Sequence, residues 1–243
     1  MSRLSALAIL ASLGLHGIAA AQQPVIVPGE YITERGWGVL NIEPGRKGVH
    51  RFAIEAFGGN LFVCGLDGDM LNGTAVLDSA EPGKPCVVTF TPKGEGIDVS
   101  ANDTRICNVH CGENASFPGL YLKVPPACTR AVVQKTRDIF KVRYERKDFA
   151  AARAALEPVV KECGRTLDRF AGGWILNDLA ITQHRLGDQA ACRQTLAPLQ
   201  KDASRSDQAI TAEYGSADAE KYLPVVRAAR MNLKRCGGAS VPL

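Results

Sequence analysis

Lys147-Asp-Phe-Ala-Ala-Ala-Arg-Ala-Ala-Leu-Glu-Pro-Val-Val-Lys161 lies over Gly187-Asp-Gln-Ala-Ala-Cys-Arg-Gln-Thr-Leu-Ala-Pro-Leu-Gln-Lys201 at an offset of 40, with seven identities in fifteen positions. Two alanine-rich helices would share alanines by composition, but not Asp, Arg, Leu, Pro and Lys at fixed distances. Upstream of each copy, apolar residues recur at helical spacing: Ile139, Phe140 and Tyr144 on one face, Ile175, Leu179 and Leu186 on another. Each copy therefore predicts a helix, a short turn carrying Lys-Asp or Gly-Asp, and a second helix. A further amphipathic helix, from about Ala217 to Lys234, is expected to cap the stack.

Working outward from the repeat, the composition changes near Cys128. Residues Gln22 to Cys128 hold 8 Lys+Arg against 12 Asp+Glu, and Thr129 to Leu243 hold 20 against 13, so an overall charge of +4 conceals an acidic half joined to a basic one. The acidic half is punctuated by Gly and Pro. Between these, apolar and polar residues alternate, as in Gly38-Val-Leu-Asn-Ile, Phe52-Ala-Ile-Glu-Ala, Leu61-Phe-Val-Cys and Val87-Val-Thr-Phe-Thr. That period of two predicts short antiparallel strands, closed into a small barrel or packed as a sandwich so that the edges are hidden. The expected fold class is thus α+β in two domains: an antiparallel, disulfide-stapled β-barrel or sandwich over 22–128, then an all-α helical-repeat domain over 129–238.

Arg3, the apolar run from Leu4 to Leu15 and the small residues Ala19, Ala20 and Ala21 read as a signal peptide over 1–21, cleaved before Gln22. No second long apolar run follows, so no membrane span is expected, and the protein is placed in the periplasm or outside the cell. All eight cysteines lie after this segment, and an even number in an exported chain predicts disulfides. In a helical hairpin the start of the first helix lies beside the end of the second, so Cys128 is expected to pair with Cys163 and, by the same rule, Cys192 with Cys236. Cys64, Cys86, Cys107 and Cys111 are left to the β-domain, with Cys64 to Cys86 and Cys107 to Cys111 the chosen pairing. Zinc is the competing reading for Cys107, His110 and Cys111, but their spacing lacks a second close ligand pair.

No G-x-S-x-G, H-E-x-x-H, Walker or dinucleotide motif occurs, and neither a catalytic role nor a cofactor is expected. Asp67, Asp69, Asn72, Gly73 and Asp78 bunch oxygen ligands but miss the EF-hand spacing, so a solvated hairpin turn is expected there. The basic stripe of Arg137, Lys141, Arg143, Arg146 and Lys147 reads as a solvated helix face rather than a nucleic-acid contact.

The repeated hairpins, with the phrase Leu186-Gly-Asp-Gln-Ala-Ala-Cys at the turn, resemble tetratricopeptide repeats over roughly Thr129 to Ser204. The period departs from that family's usual length of about 34. Phe140 stands where the family has a small residue, Arg143 replaces an aromatic and Cys192 an alanine. The resemblance implies a groove lined by the first helix of each pair. Carried over by alignment, its walls are Gln134, Arg137, Lys141, Tyr144 and Glu145, then Trp174, Asn177, Ile181, His184 and Arg185. The β-domain resembles periplasmic lysozyme inhibitors in size and strand pattern, without their loop motif. Together these imply a non-enzymatic protein that binds another secreted or periplasmic protein. Two readings follow: an inhibitor or immunity factor against a cell-wall hydrolase, or an envelope assembly adaptor whose repeats hold a partner.

Overall fold

The computed structural model describes residues 25–46, 48–58 and 62–237; the signal segment expected over 1–21 lies outside them. Eight antiparallel strands form a closed barrel in chain order: β1 (Gly29–Thr33), β2 (Gly38–Pro44), β3 (Val49–Phe57), β4 (Val63–Leu71), β5 (Thr74–Leu77), β6 (Cys86–Lys93), β7 (Gly96–Ala101) and β8 (Gly119–Lys123). Closure comes from β1, which pairs with β2 on one side and, through Ile32↔Leu122, with β8 on the other. Of the two architectures that the alternating pattern allows, this is the barrel, closed through β1 and β8 and weakest where β4 meets β5.

Inward-facing residues fill the interior: Leu40 and Ile42 of β2, Phe52 and Ile54 of β3, Leu66 and Met70 of β4, and Val88 and Phe90 of β6 are all buried. Phe52 and Phe90 pack at 4.8 Å between ring centroids, so the barrel is a packed core rather than a ligand cup. Asn72 and Gly73, both at positive φ, make the tight turn between β4 and β5, and Asp67 and Asp69 face outward from β4, as the hairpin reading expected.

The disulfides of the barrel are Cys64–Cys111 and Cys86–Cys107, which corrects the expected pairing of Cys64 with Cys86 and Cys107 with Cys111. The reason lies at a weak seam. The β4 to β5 ladder is a single pair, Leu71↔Thr74. The 3-10 turn Ile106–His110 is bridged to β4 through Cys111 and to β6 through Cys107. The two cysteines that are neighbours in sequence therefore serve different strands.

The helical half comprises α1 (Arg130–Glu145), α2 (Phe149–Cys163), α3 (Arg169–Arg185), α4 (Gln189–Leu196), a 3-10 turn at Ala197–Leu199, α5 (Gln200–Ala203), α6 (Asp207–Tyr214) and α7 (Ser216–Arg235). Cys128–Cys163 and Cys192–Cys236 join the expected partners, with Cα separations of 5.3 and 5.8 Å. Leu156 and Leu196, aligned in the repeat, are both fully buried. Ile139 and Leu186, grouped by spacing with apolar residues of one face, are exposed, and Leu186 lies just past the end of α3 as its C-cap. Among the described residues no helix is long and apolar enough to cross a membrane.

Candidate functional site

The barrel and the helices meet at a glycine. Gly36, at φ +71°, would place a Cβ only 2.7 Å from the Cα of Asp168, so a side chain there is excluded both by backbone conformation and by contact. Asp168 caps α3, its Oδ1 accepting from the Phe170 and Ala171 amides at 2.8 Å each. This contact fixes the first turn of α3 against the barrel turn that precedes β2.

Beside that contact a cleft of about 1430 Å³ opens between the two halves. Its barrel wall carries Glu30 and Ile32 of β1, the turn from Arg35 to Trp37, and Glu55 and Phe57 of β3. The helical wall carries Arg130, Gln134 and Arg137 of α1, the first turns of α3 as far as Trp174, then Tyr214, Asp218 and Lys221. The lining mixes aromatic, apolar and charged side chains, and the volume is above that of an ordinary small-molecule pocket.

At the centre, Arg137 joins the walls of α1 and α3. Its Nε donates to Asp178 Oδ2 at 2.7 Å, and its guanidinium lies 5.6 Å from the centre of the Trp174 ring. Burial pushes the Asp178 carboxyl above the ordinary value, and the hydrogen bond from Arg137 opposes that rise. Asp178 was absent from the sequence reading; it stands one turn beyond Trp174, and only the pairing of α1 with α3 shows that it meets Arg137.

A second aromatic and cationic cluster forms at the α6 end. The Arg169 guanidinium lies 4.6 Å from the Tyr214 ring centre, and the Tyr214 hydroxyl donates to Asp202 at 3.0 Å, which holds that ring in place. Tyr222 also donates to Asp202, at 2.7 Å, and burial raises its phenol, so the acceptor carboxylate faces two neutral donors. Arg35, Arg130 and Arg169 have no carboxylate within ion-pair distance among the described residues. Arg35 also adopts φ +68°, a left-handed conformation that non-glycine residues seldom hold, at the rim of the cleft.

The residues expected along a repeat groove separate into three places. Gln134, Arg137 and Trp174 line the cleft. Lys141, Tyr144, Glu145, Ile181, His184 and Arg185 lie toward the other end of α1 and α3, His184 about 15 Å along the axis from Trp174. There Tyr144 stacks between Phe140 and Phe149, at 5.6 and 5.2 Å, and His184 meets the Gln189 side chain.

Asn177 corrects the expectation: it is buried and faces away from any groove. Its Nδ2 donates to the carbonyls of Gly173 and Val225, at 2.9 and 3.1 Å, and its Oδ1 accepts from Asn232. It joins α3 to α7, where Gly173 permits so close an approach that an added Cβ would lie 2.4 Å from Val225. Among the described residues no three His, Cys, Asp or Glu side chains converge as a metal site. Compared with family models, curated proteins and solved structures, the chain has no match.

Proposed function

We propose that this exported protein is a non-enzymatic adaptor that holds an extended segment of another secreted or periplasmic protein in the cleft between barrel and helices. The observation that carries this reading is that both halves build the cleft. Trp37 and Phe57 come from one wall, and Trp174, Tyr214 and the unpaired Arg130 and Arg169 from the other. Aromatic faces beside guanidinium groups are what protein hot spots use. The likeness of the hairpins to tetratricopeptide repeats, a family that binds polypeptide along its first helices, agrees with Arg137 and Trp174 as contact residues. The second reading, an inhibitor or immunity factor acting through the β-barrel against a cationic hydrolase, draws on the acidic balance of residues 22–128.

Site-specific photo-cross-linking in the exported protein separates the two. A cross-linker at Gln134, inside the cleft, is expected to capture one partner reproducibly, and Trp174→Ala is expected to reduce that capture roughly tenfold. A cross-linker at Val76, on the outer barrel surface, should capture nothing in common with it. A partner caught from Val76 and indifferent to Trp174→Ala would replace the adaptor with the inhibitor.

A further inference from the structure

The outer face of α1 carries an unpartnered line of side chains. Val132, Ile139 and Val142 are 42%, 48% and 46% exposed. At 100° per residue they share an arc of about 80° with Lys135 and Arg146. A shallow depression of about 400 Å³ runs along this arc, flanked by Arg143 and Asp138.

The second hairpin shows what such a face is for. Forty residues on, Ile139 and Val142 correspond to Leu179 and Thr182, which are 2% and 0% exposed. Leu179 lies in one core cluster with Leu156 and Val159 of α2, so in the second copy this face packs against the preceding hairpin. α1 has no preceding hairpin in the chain. Its chief neighbours are α2 and the turn at Pro126–Cys128.

The charges say what kind of helix would complete it. Lys135 corresponds to Ile175, which is 1% exposed, and Arg143 to the buried Gln183. Cations thus replace buried groups where the copies are otherwise comparable, and Lys135 and Arg146 have no carboxylate partner among the described residues. Two copies of this chain meeting here would set basic rows against each other. The line is one side chain wide, the seam on which another helix packs rather than the broad apolar face that enters a bilayer surface.

We infer that the outer face of α1 docks an amphipathic helix of a partner protein, whose apolar seam covers Ile139 and Val142 and whose flanking Glu or Asp residues meet Lys135, Arg143 and Arg146. This surface is separate from the cleft, and stands or falls independently of the function assigned to that cleft.

The probe is a labelled 21-residue helical peptide with Leu at the two seam positions of each heptad and Glu on both flanks, titrated against the disulfide-bonded mature chain by fluorescence anisotropy. It should bind at least about tenfold more tightly than the same peptide with Lys on its flanks. Ile139→Asp and Lys135→Glu should each weaken it about tenfold with the melting temperature kept, and Lys135→Glu should improve binding of the Lys-flanked peptide. If Ile139→Asp lowers the melting temperature, Lys135→Glu, at an exposed position, carries the test alone. Equal affinity for both peptides, absence of binding, or indifference to Lys135→Glu overturns the inference. So does sedimentation showing self-association that Ile139→Asp abolishes, or preferential adsorption to phosphatidylglycerol vesicles with the same dependence.

Discussion

The two helical hairpins are built on one plan and differ in what surrounds them. At both turns the residue before the cap has positive φ, Lys147 at 60° and Gly187 at 81°. Asp148 and Asp188 then cap the next helix, accepting from the amides of Ala151 and Ala191. The Asp148 and Asp188 amides also donate back, to the carbonyls of Arg143 and Gln183, so the turns share this bond, and the second adds one from the Gln189 amide to the Gly187 carbonyl. Even the paired arginines act alike: Arg153 reaches forward to Asp188 at the next turn, and Arg193 to the Cys236 carbonyl at the end of α7.

The copies part at their ends. Cys163, at the close of α2, ties the first hairpin back to Cys128, whereas the second is tied at the start of α4, from Cys192 to Cys236. Pro158 sits inside a continuous α2, whereas its counterpart Pro198 lies in the 3-10 turn Ala197–Leu199. Pro158 costs α2 one helical hydrogen bond, whereas in the first turn at Pro198 the missing N–H has no partner within the turn to lose. The difference teaches that local rules made the turns alike, and that the staples and neighbours made the hairpins unlike.

The largest effect that could break this comparison is on the staples. Replacing Cys128 and Cys163 by Ser removes a crosslink across 35 residues, and replacing Cys192 and Cys236 one across 44. Because closure entropy grows only with the logarithm of loop length, each pair is expected to contribute about 4 kcal/mol, and denaturant melts should show nearly equal losses. Hydrogen exchange should then separate them. Loss of the first bridge loosens α1 and α2, and loss of the second loosens α7 and with it the covered face of α3. Matching exchange patterns would mean that the hairpins are one cooperative unit.

A smaller and sharper test lies at the turns. Lys147→Gly should stabilise by up to about 1 kcal/mol by relieving the left-handed backbone, and Gly187→Ala should destabilise by about 1 kcal/mol. No atom lies within 4 Å of an added Cβ at Gly187, so that loss would be conformational rather than steric. Opposite signs at the two positions sustain the equivalence of the turns; equal signs break it.

The smallest effect belongs to Asp178, whose counterpart Asp138 is exposed. Its carboxyl is raised by burial, so the folded chain holds that proton more tightly than the unfolded chain does. The associated stability is present at pH below the ordinary carboxylate range and is lost as pH rises through the folded value. Stability of Asp178→Asn should therefore fall less over that interval than that of the unsubstituted protein, read from chemical melts at a series of pH values. A steeper fall would show that Arg137 outweighs burial.

Of the helical half, the hairpins and the pairs Cys128–Cys163 and Cys192–Cys236 were legible, because a 40-residue offset carries both pattern and geometry. The break at Pro198, the short α5 and α6 and the partition of the groove residues were not. Asn177 reads as a groove residue from alignment alone; burial and its bonds to Val225 and Asn232 place it between α3 and α7. Trp174 and Arg137 were legible as candidates, but Arg35, Trp37, Phe57 and Arg169 were not, since their role depends on which part of the barrel the helices lean against.

What the sequence determined by itself is local and periodic. Alternation of period two made strands, helical spacing made helices, and Asp148 and Asp188 capped them, because each depends on residues only a few positions apart. What tertiary structure alone decided is everything that needs two distant segments to meet. Closure through β1 and β8 chose the barrel over the sandwich. The weak seam between β4 and β5 sent Cys107 and Cys111 to different strands. The contact of Gly36 with Asp168 set the helices against the barrel, with the cleft beside it. Burial, ion pairing and clefts arise from distances in space, and no spacing along the chain encodes which faces those distances will bring together.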